Sequence, residues 1–316
     1  MKKNLWIAIS LMLLMAAGAS ASNFRTADLV YVPNAGKLTG GGGAFFYQTD
    51  VWISNPNSSA ATVWVAFAPQ GQDNSSAPTN AVKLATDLAA GERREINDII
   101  GQIFPTQTEK LGHLVFFGYR QGVNSADCSA TPTDCRPISV MARVYAKTSD
   151  ANPKTYGMTV AGIPWYNYVS PSALDSRLRE VFITGIREQG TVGVSGFRTN
   201  IGIINASGTQ SAQLRITAYN SAGATVGTAT ETLPPLGMLQ KNIAAWVTGF
   251  TGTGWVRVEQ VDTGASDLAF LAYGTLNDNQ TGDITWLESQ YSMPWDETMA
   301  SCIYGAKPPK RIVKRP

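Results

Sequence analysis

A sequence that repeats itself once restricts its fold to something half the chain can build alone. Here YQTDVWISNP (Tyr47 to Pro56) aligns without gaps to FRTNIGIINA (Phe197 to Ala206). Thr49, Ile53 and Asn55 fall on Thr199, Ile203 and Asn205. Three further blocks follow in the same order: LAAGERREINDI on LPPLGMLQKNI, GHLVFFGY on GWVRVEQV, and VYAKTSDANPKTYG on AYGTLNDNQTGD. The offset shrinks from 150 residues (Thr49 to Thr199) to 146 (Gly91 to Gly237) and 128 (Tyr145 to Tyr273), so the first copy carries the longer loops. Two homologous domains are expected, over residues 22–167 and 168–290.

Within each copy, apolar and polar residues alternate over short runs broken by Gly, Asn, Ser and Pro, the pattern of half-buried strands. In the second copy the runs fall at about 180–186, 197–205, 212–219, 224–233, 254–261 and 267–275. Helical periodicity is confined to NDIIGQI and NIAAWVTG, short turns that Asn97 or Asn242 is placed to cap. The expected fold class is all-β: two tandem Ig-like β-sandwich domains with short helical turns between sheets. FRTNIGIINASGTQSAQLRITAYNSAGATVGTATETLPPLGMLQKNIAA, with QTDVWISNP, ARVYAKT and TYGMTVAGIP in the first copy, resembles an uncharacterised tandem Ig-like domain of secreted bacterial proteins. That resemblance covers the chain to about residue 290. It implies an extracellular β-sandwich and brings no catalytic residue set.

Lys2 and Lys3, the apolar run Leu5 to Ala17 and the ending Ala19-Ser20-Ala21 form the three parts of a secretory signal peptide, residues 1–21. The run is too short to span a membrane, and none later approaches 18 uninterrupted apolar residues, so no membrane span is expected. The product is expected to be periplasmic, cell-surface or extracellular. Export favours a disulfide between Cys128 and Cys135, which flank SATPTD in a long connection. Cys302 is then left over as a candidate intermolecular thiol, in a C-terminal extension (291–316) whose last ten residues hold five Lys and Arg. Across the whole chain 25 basic residues face 23 acidic ones, and no basic cluster elsewhere points to nucleic acid.

Chemistry finds little purchase. His113 is the one histidine, and it aligns with Trp255, which favours a packing role. The glycines at 190, 193 and 196 lead into a strand, not a helix, and so do not form a phosphate loop. The Asn277–Asp283 loop lacks the end ligands of a calcium site. Asp50, Asp87, Glu92, Glu95 and Asp98 are carboxylates that the sequence gives no means of pairing. No catalytic residue, metal or cofactor is expected. The Asn-x-Ser/Thr sequences at Asn57, Asn74, Asn205 and Asn279 are read as turn chemistry.

One surface stands out. Alternation places Trp52, Trp64, Val115 and Phe117 on the outward face of the first domain, where the second copy has Gly202, Arg215, Arg257 and Glu259. Large apolar groups there require a cover or a ligand. Three readings compete: the second domain or the loops 69–80 and 121–136 lie over the face; a partner or second copy does; or sugar rings stack on it. These four residues are the candidate binding site. The functional expectation is a non-enzymatic exported protein that acts by binding or assembly at the bacterial surface, through self-association or a surface protein or polysaccharide. The alternative is a carbohydrate-binding or carbohydrate-active protein using the aromatic face.

Overall fold

The computed structural model describes residues 26–40, 45–147, 155–167, 180–261 and 269–291. The expected signal peptide, Cys302 and the basic extension from 292 onward lie outside these residues. What is described is all-β, with antiparallel sheets and only short helical turns.

The first half contains β1 (Leu29–Gly40), β2 (Phe45–Ser54), β3 (Ala61–Pro69), β4 (Val82–Lys83), β5 (Arg93–Ile96), β6 (Lys110–Arg120), β7 (Ser139–Lys147), β8 (Thr155–Ala161) and β9 (Ile163–Pro164). The second contains β10 (Glu180–Thr191), β11 (Ser195–Asn205), β12 (Ala212–Asn220), β13 (Thr225–Leu233), β14 (Met238–Asn242), β15 (Gly252–Gln260), β16 (Phe270–Asp278), β17 (Ile284–Glu288) and β18 (Gln290–Tyr291). The strand orders are β4-β3-β6-β1-β2-β7-β8 and β13-β12-β15-β10-β11-β16-β17, position for position the same.

In each half one long strand serves two layers. β1 pairs with β6 through Lys37 and then with β2 from Leu38, after a bulge between Val32 and Ala35. β10 repeats the design, with its bulge between Ile183 and Ile186. A bulge adds twist and bends the strand, which folds the sheet over on itself. The β3–β6 layer then packs on the β2–β7 layer through Val30, Val32, Val51, Ile53, Val65, Leu114, Phe116 and Val140, all buried. Ile183, Ile201, Ile203, Ile216, Val256 and Val258 do the same in the second half. The expected sandwich architecture is present.

The matched threonines and asparagines explain why two sequence blocks look alike. The Thr49 hydroxyl accepts from Gly36 N–H and donates to Gly36 C=O; Thr199 makes the same two bonds with Arg187. Asn55 Nδ2 donates to the carbonyls of Ser59, Leu88 and Ala89, and Asn205 Nδ2 to those of Gln210, Leu233 and Pro234. Each latch satisfies buried backbone groups that no ladder reaches. Asn205, Asn74 and Asn279 are all buried.

Two parts of the repeat alignment need correction. In the strand pairing Val51 faces Ala142 and Ile201 faces Gly274, so the last block is shifted by four residues: Met141, not Tyr145, corresponds to Tyr273. A shift by an even number keeps every side chain on its own face, so the apolar pattern cannot detect it. Likewise Trp52 faces Glu95 and Gly202 faces Gln240, which sets Gly91 against Leu236 rather than Gly237. Both occupy the left-handed region, Gly91 at φ 70° and Leu236 at φ 49°. The short helices are α1 (Ile99–Ile103), capped by Asp98 rather than Asn97, and α2 (Ile243–Trp246), capped by Asn242 as expected.

Candidate functional site

The four residues of the expected binding face do not form one surface. Trp64 on β3 and Val115 and Phe117 on β6 share the outward face of the β3–β6 layer, while Trp52 on β2 stands on the outward face of the opposite layer. Alternation along each strand is legible in sequence, but which strands share a layer is not.

The β3–β6 face is covered. Val115 and Phe117 are fully buried, together with Leu29, Tyr31 and Tyr119, against Ile204, Leu236, Met238, Leu271 and Tyr273 of the second half. Trp64 is partly buried against the same layer. The two long loops complete the cover with Ala77 and Ala81 on one side and Ala126 and Cys135 on the other. Cys128 and Cys135 form the expected disulfide within this second loop.

Polar groups fasten the edges of this apolar layer. The Tyr31 hydroxyl donates to Ala206 C=O, and Asn34 Nδ2 donates to Gln240 Oε1 (2.8 Å) and the Tyr273 hydroxyl (3.2 Å). Asn74, in the loop after β3, donates from its side chain to Leu236 C=O and from its backbone to Pro235 C=O. Burial pushes the Tyr273 phenol far above its ordinary value. Gly202 lets that ring lie flat on β11: a Cβ there would come within 2.2 Å of Tyr273 Cζ.

His113 belongs to this layer too. It stacks on Tyr31, with ring centroids 6.0 Å apart, and is fully buried. Neither ring nitrogen has a hydrogen-bond partner among the described residues, and burial pushes its pKa down to about 3. A neutral imidazole packed as an aromatic disc is what alignment with Trp255 led one to expect.

Trp52 remains half-exposed, with the Arg93 guanidinium 5.9 Å from its ring centroid. Beside it Asp50 accepts from Asp98 N–H and the Tyr145 hydroxyl, and Arg143 lies over the Tyr145 ring. Burial first, and then the Asp50 charge, push the Tyr145 phenol up to about 12. Of the other carboxylates considered from sequence, Asp98 pairs with Lys37, Asp87 with Lys83 and Thr62, and Glu92 with Arg94, while Glu95 is exposed on β5 opposite Trp52. In the Asn277–Asp283 turn, Asp278 accepts from Gln280 and Thr281 N–H, an Asx turn. The glycines at 190 and 196 sit at φ 85° and 81° in the β10–β11 hairpin, where a Cβ would strike backbone.

Beside the joined faces a cleft of about 510 Å³ opens between the halves. Leu38, Tyr47, Val144 and Met158 form its first-half wall; Arg198, Asn200, Asn277 and Ile284 form much of the other. Residues separated by more than 150 positions meet there, and nothing in the local sequence signals it. Arg198 donates from Nη1 to Asn279 Oδ1 and lowers the Tyr47 phenol, against a larger upward push from burial.

No protein-family model matches the chain, and no curated protein does. Among solved structures, a lectin from Pleurotus ostreatus in complex with GalNAc is 14% identical, with 93% of this chain and 85% of that chain covered and a TM-score of 0.17. Beta-glucuronidase 2 from Bacteroides uniformis is 10% identical at a TM-score of 0.15, over 78% of this chain but 25% of its own. The C-terminal domain of the Streptococcus pyogenes antigen I/II-family protein AspA is 8% identical at a TM-score of 0.13, covering 85% of this chain and all of that one. None of these likenesses brings a residue's role to this chain, which is described by its β-sandwich layers and their duplication rather than by a family.

Proposed function

We propose that this is an exported, non-enzymatic structural or adhesive module of the bacterial surface, built from two Ig-like sandwiches held as one body. The observation that carries the reading is the use made of the apolar face: Val115, Phe117, Tyr31 and Leu29 are spent on joining the halves through a layer as dry as a domain core. An interface of that kind resists relative motion of the sandwiches, which suits a spacer or contact module. The Cys128–Cys135 disulfide is compatible with export, and no described helix is long and apolar enough to cross a membrane.

The test is the native mass of the purified mature protein by light scattering, with and without reductant, alongside retention on bacterial cell walls. A reducible dimer, a larger assembly or wall retention is the expected result. Turnover of polysaccharide that is sensitive to substitution overturns it. A second reading, carbohydrate binding, rests on Trp52, whose ring stays on an uncovered sheet face; loss of glycan retention in Trp52→Ala with an unchanged fold is its signature.

A further inference from the structure

The cleft between the halves has the chemistry of a ligand site that neither an adhesive nor a spacer role requires. Its volume, about 510 Å³, lies in the usual range of small-molecule pockets. Leu38 and Met158 from the first half and Ile284 from the second give it apolar walls, Tyr47 is the one aromatic ring among the described lining residues, and amides such as Asn34, Asn200 and Gln240 lie between them. Arg198 alone among those residues carries a charge.

That guanidinium is held in place: Nη1 is bonded to Asn279 Oδ1, 2.9 Å away, in the turn after β16. Asn279 is itself buried and tied to the carbonyls of Gln189 and Ser195, so the anchor is rigid. Arg198 is only half-buried, and its contacts with Asn279 and the Tyr47 hydroxyl leave most of its five N–H donors for a ligand. The Asp278 carboxylate, close enough to feel its charge, is turned into its own loop, where it accepts from Gln280 and Thr281 N–H. A planar cation at the side of an aliphatic cleft selects a carboxylate on an apolar body, because the fork of donors matches carboxylate geometry and the walls reward buried methylenes.

We propose that the cleft binds a small amphiphile with one carboxylate, its head on Arg198 and its apolar body between Leu38, Met158 and Ile284. A polyhydroxylated acid fits poorly, since the amides and hydroxyl that line the cleft are already bonded to protein groups: Asn34 to Gln240, and Asn200 and Asn277 to Thr275.

The experiment uses the mature protein and decanoate as probe, with 1-decanol and glucuronate as controls, followed by calorimetry. Decanoate is expected to bind at one site per chain and 1-decanol at least tenfold more weakly. Arg198→Met is expected to lower decanoate affinity at least tenfold and Arg198→Lys by less. Leu38→Trp, which fills the cleft without touching the cation, is expected to abolish binding while thermal unfolding still shows a folded protein. The proposal is overturned if decanoate shows no saturable binding, if 1-decanol or glucuronate binds as well as decanoate, or if Arg198→Met and Leu38→Trp both leave the affinity unchanged. None of these outcomes depends on assembly state, so the adhesive reading stands or falls separately.

Discussion

The two halves share strand order, bulge, threonine latch and asparagine bracket, yet they turn opposite layers to water. In the first half the β3–β6 layer is covered by the second half, whereas the β2–β7 layer, with Trp52, is not. In the second the β11–β16 layer is covered, and the free β12–β15 layer carries Arg215, Arg257 and Glu259 in ion pairs. Equivalent positions show the switch directly: Phe117 against Glu259, Val115 against Arg257, Trp52 against Gly202. The scaffold is set by residues facing inward, whereas the way two scaffolds join is set by residues facing out. Either set can change without disturbing the other.

The comparison is broken most severely by giving the first half the second half's residue. Phe117→Glu places an unpaired charge in the dry layer, and a loss of about 4 kcal/mol or failure to fold is expected in urea denaturation; Glu259→Phe, on the wet layer, is expected to change stability little.

Acid attacks the same layer through a group the second half lacks. His113 has a folded-state pKa of about 3 against 6.5 for the ordinary imidazole. A lowered histidine leaves the unfolded chain binding the extra proton, so the contribution is complete above pH 6.5 and is lost as pH falls towards 3. Between pH 7.5 and 4 that amounts to about 3 kcal/mol. His113→Phe is expected to flatten this part of the stability profile, and an unchanged profile would show that the imidazole is not buried.

The smallest effects sharpen the contrast at one repeat position. Gly202→Ala forces Tyr273 off β11 and is expected to cost about 2 kcal/mol. Trp52→Ala, at the matching position on the layer the second half leaves open, removes only a partly buried ring and is expected to cost about 1 kcal/mol. Thermal unfolding of the pair compares them.

Much of the layered fold is legible in the sequence, because inward positions alternate and the Thr49/Thr199 and Asn55/Asn205 latches recur. The outward positions also announced that Val115 and Phe117 need either a cover or a ligand. They could not say that Trp52 belongs to a different layer, since that depends on β1 crossing from β6 to β2. Nor could they fix the register of β7 against β16, where a slip of four residues leaves the pattern intact. The cleft was invisible for a simpler reason: Leu38 and Arg198 become neighbours only after both halves have folded and docked.

The joint between the halves sets unlike faces together, one layer type from the first unit on the other type from the second. Such a contact has no inherent stopping point, and repeated by translation it would generate an endless fibre. The next surface in line, however, carries Arg215, Arg257, Glu180 and Glu259 already neutralising one another. A third unit would have to strip water from those charges with no apolar area to offset the cost. Growth by this joint therefore halts at two, with the second half acting as the terminator of a one-dimensional stack that the first half begins.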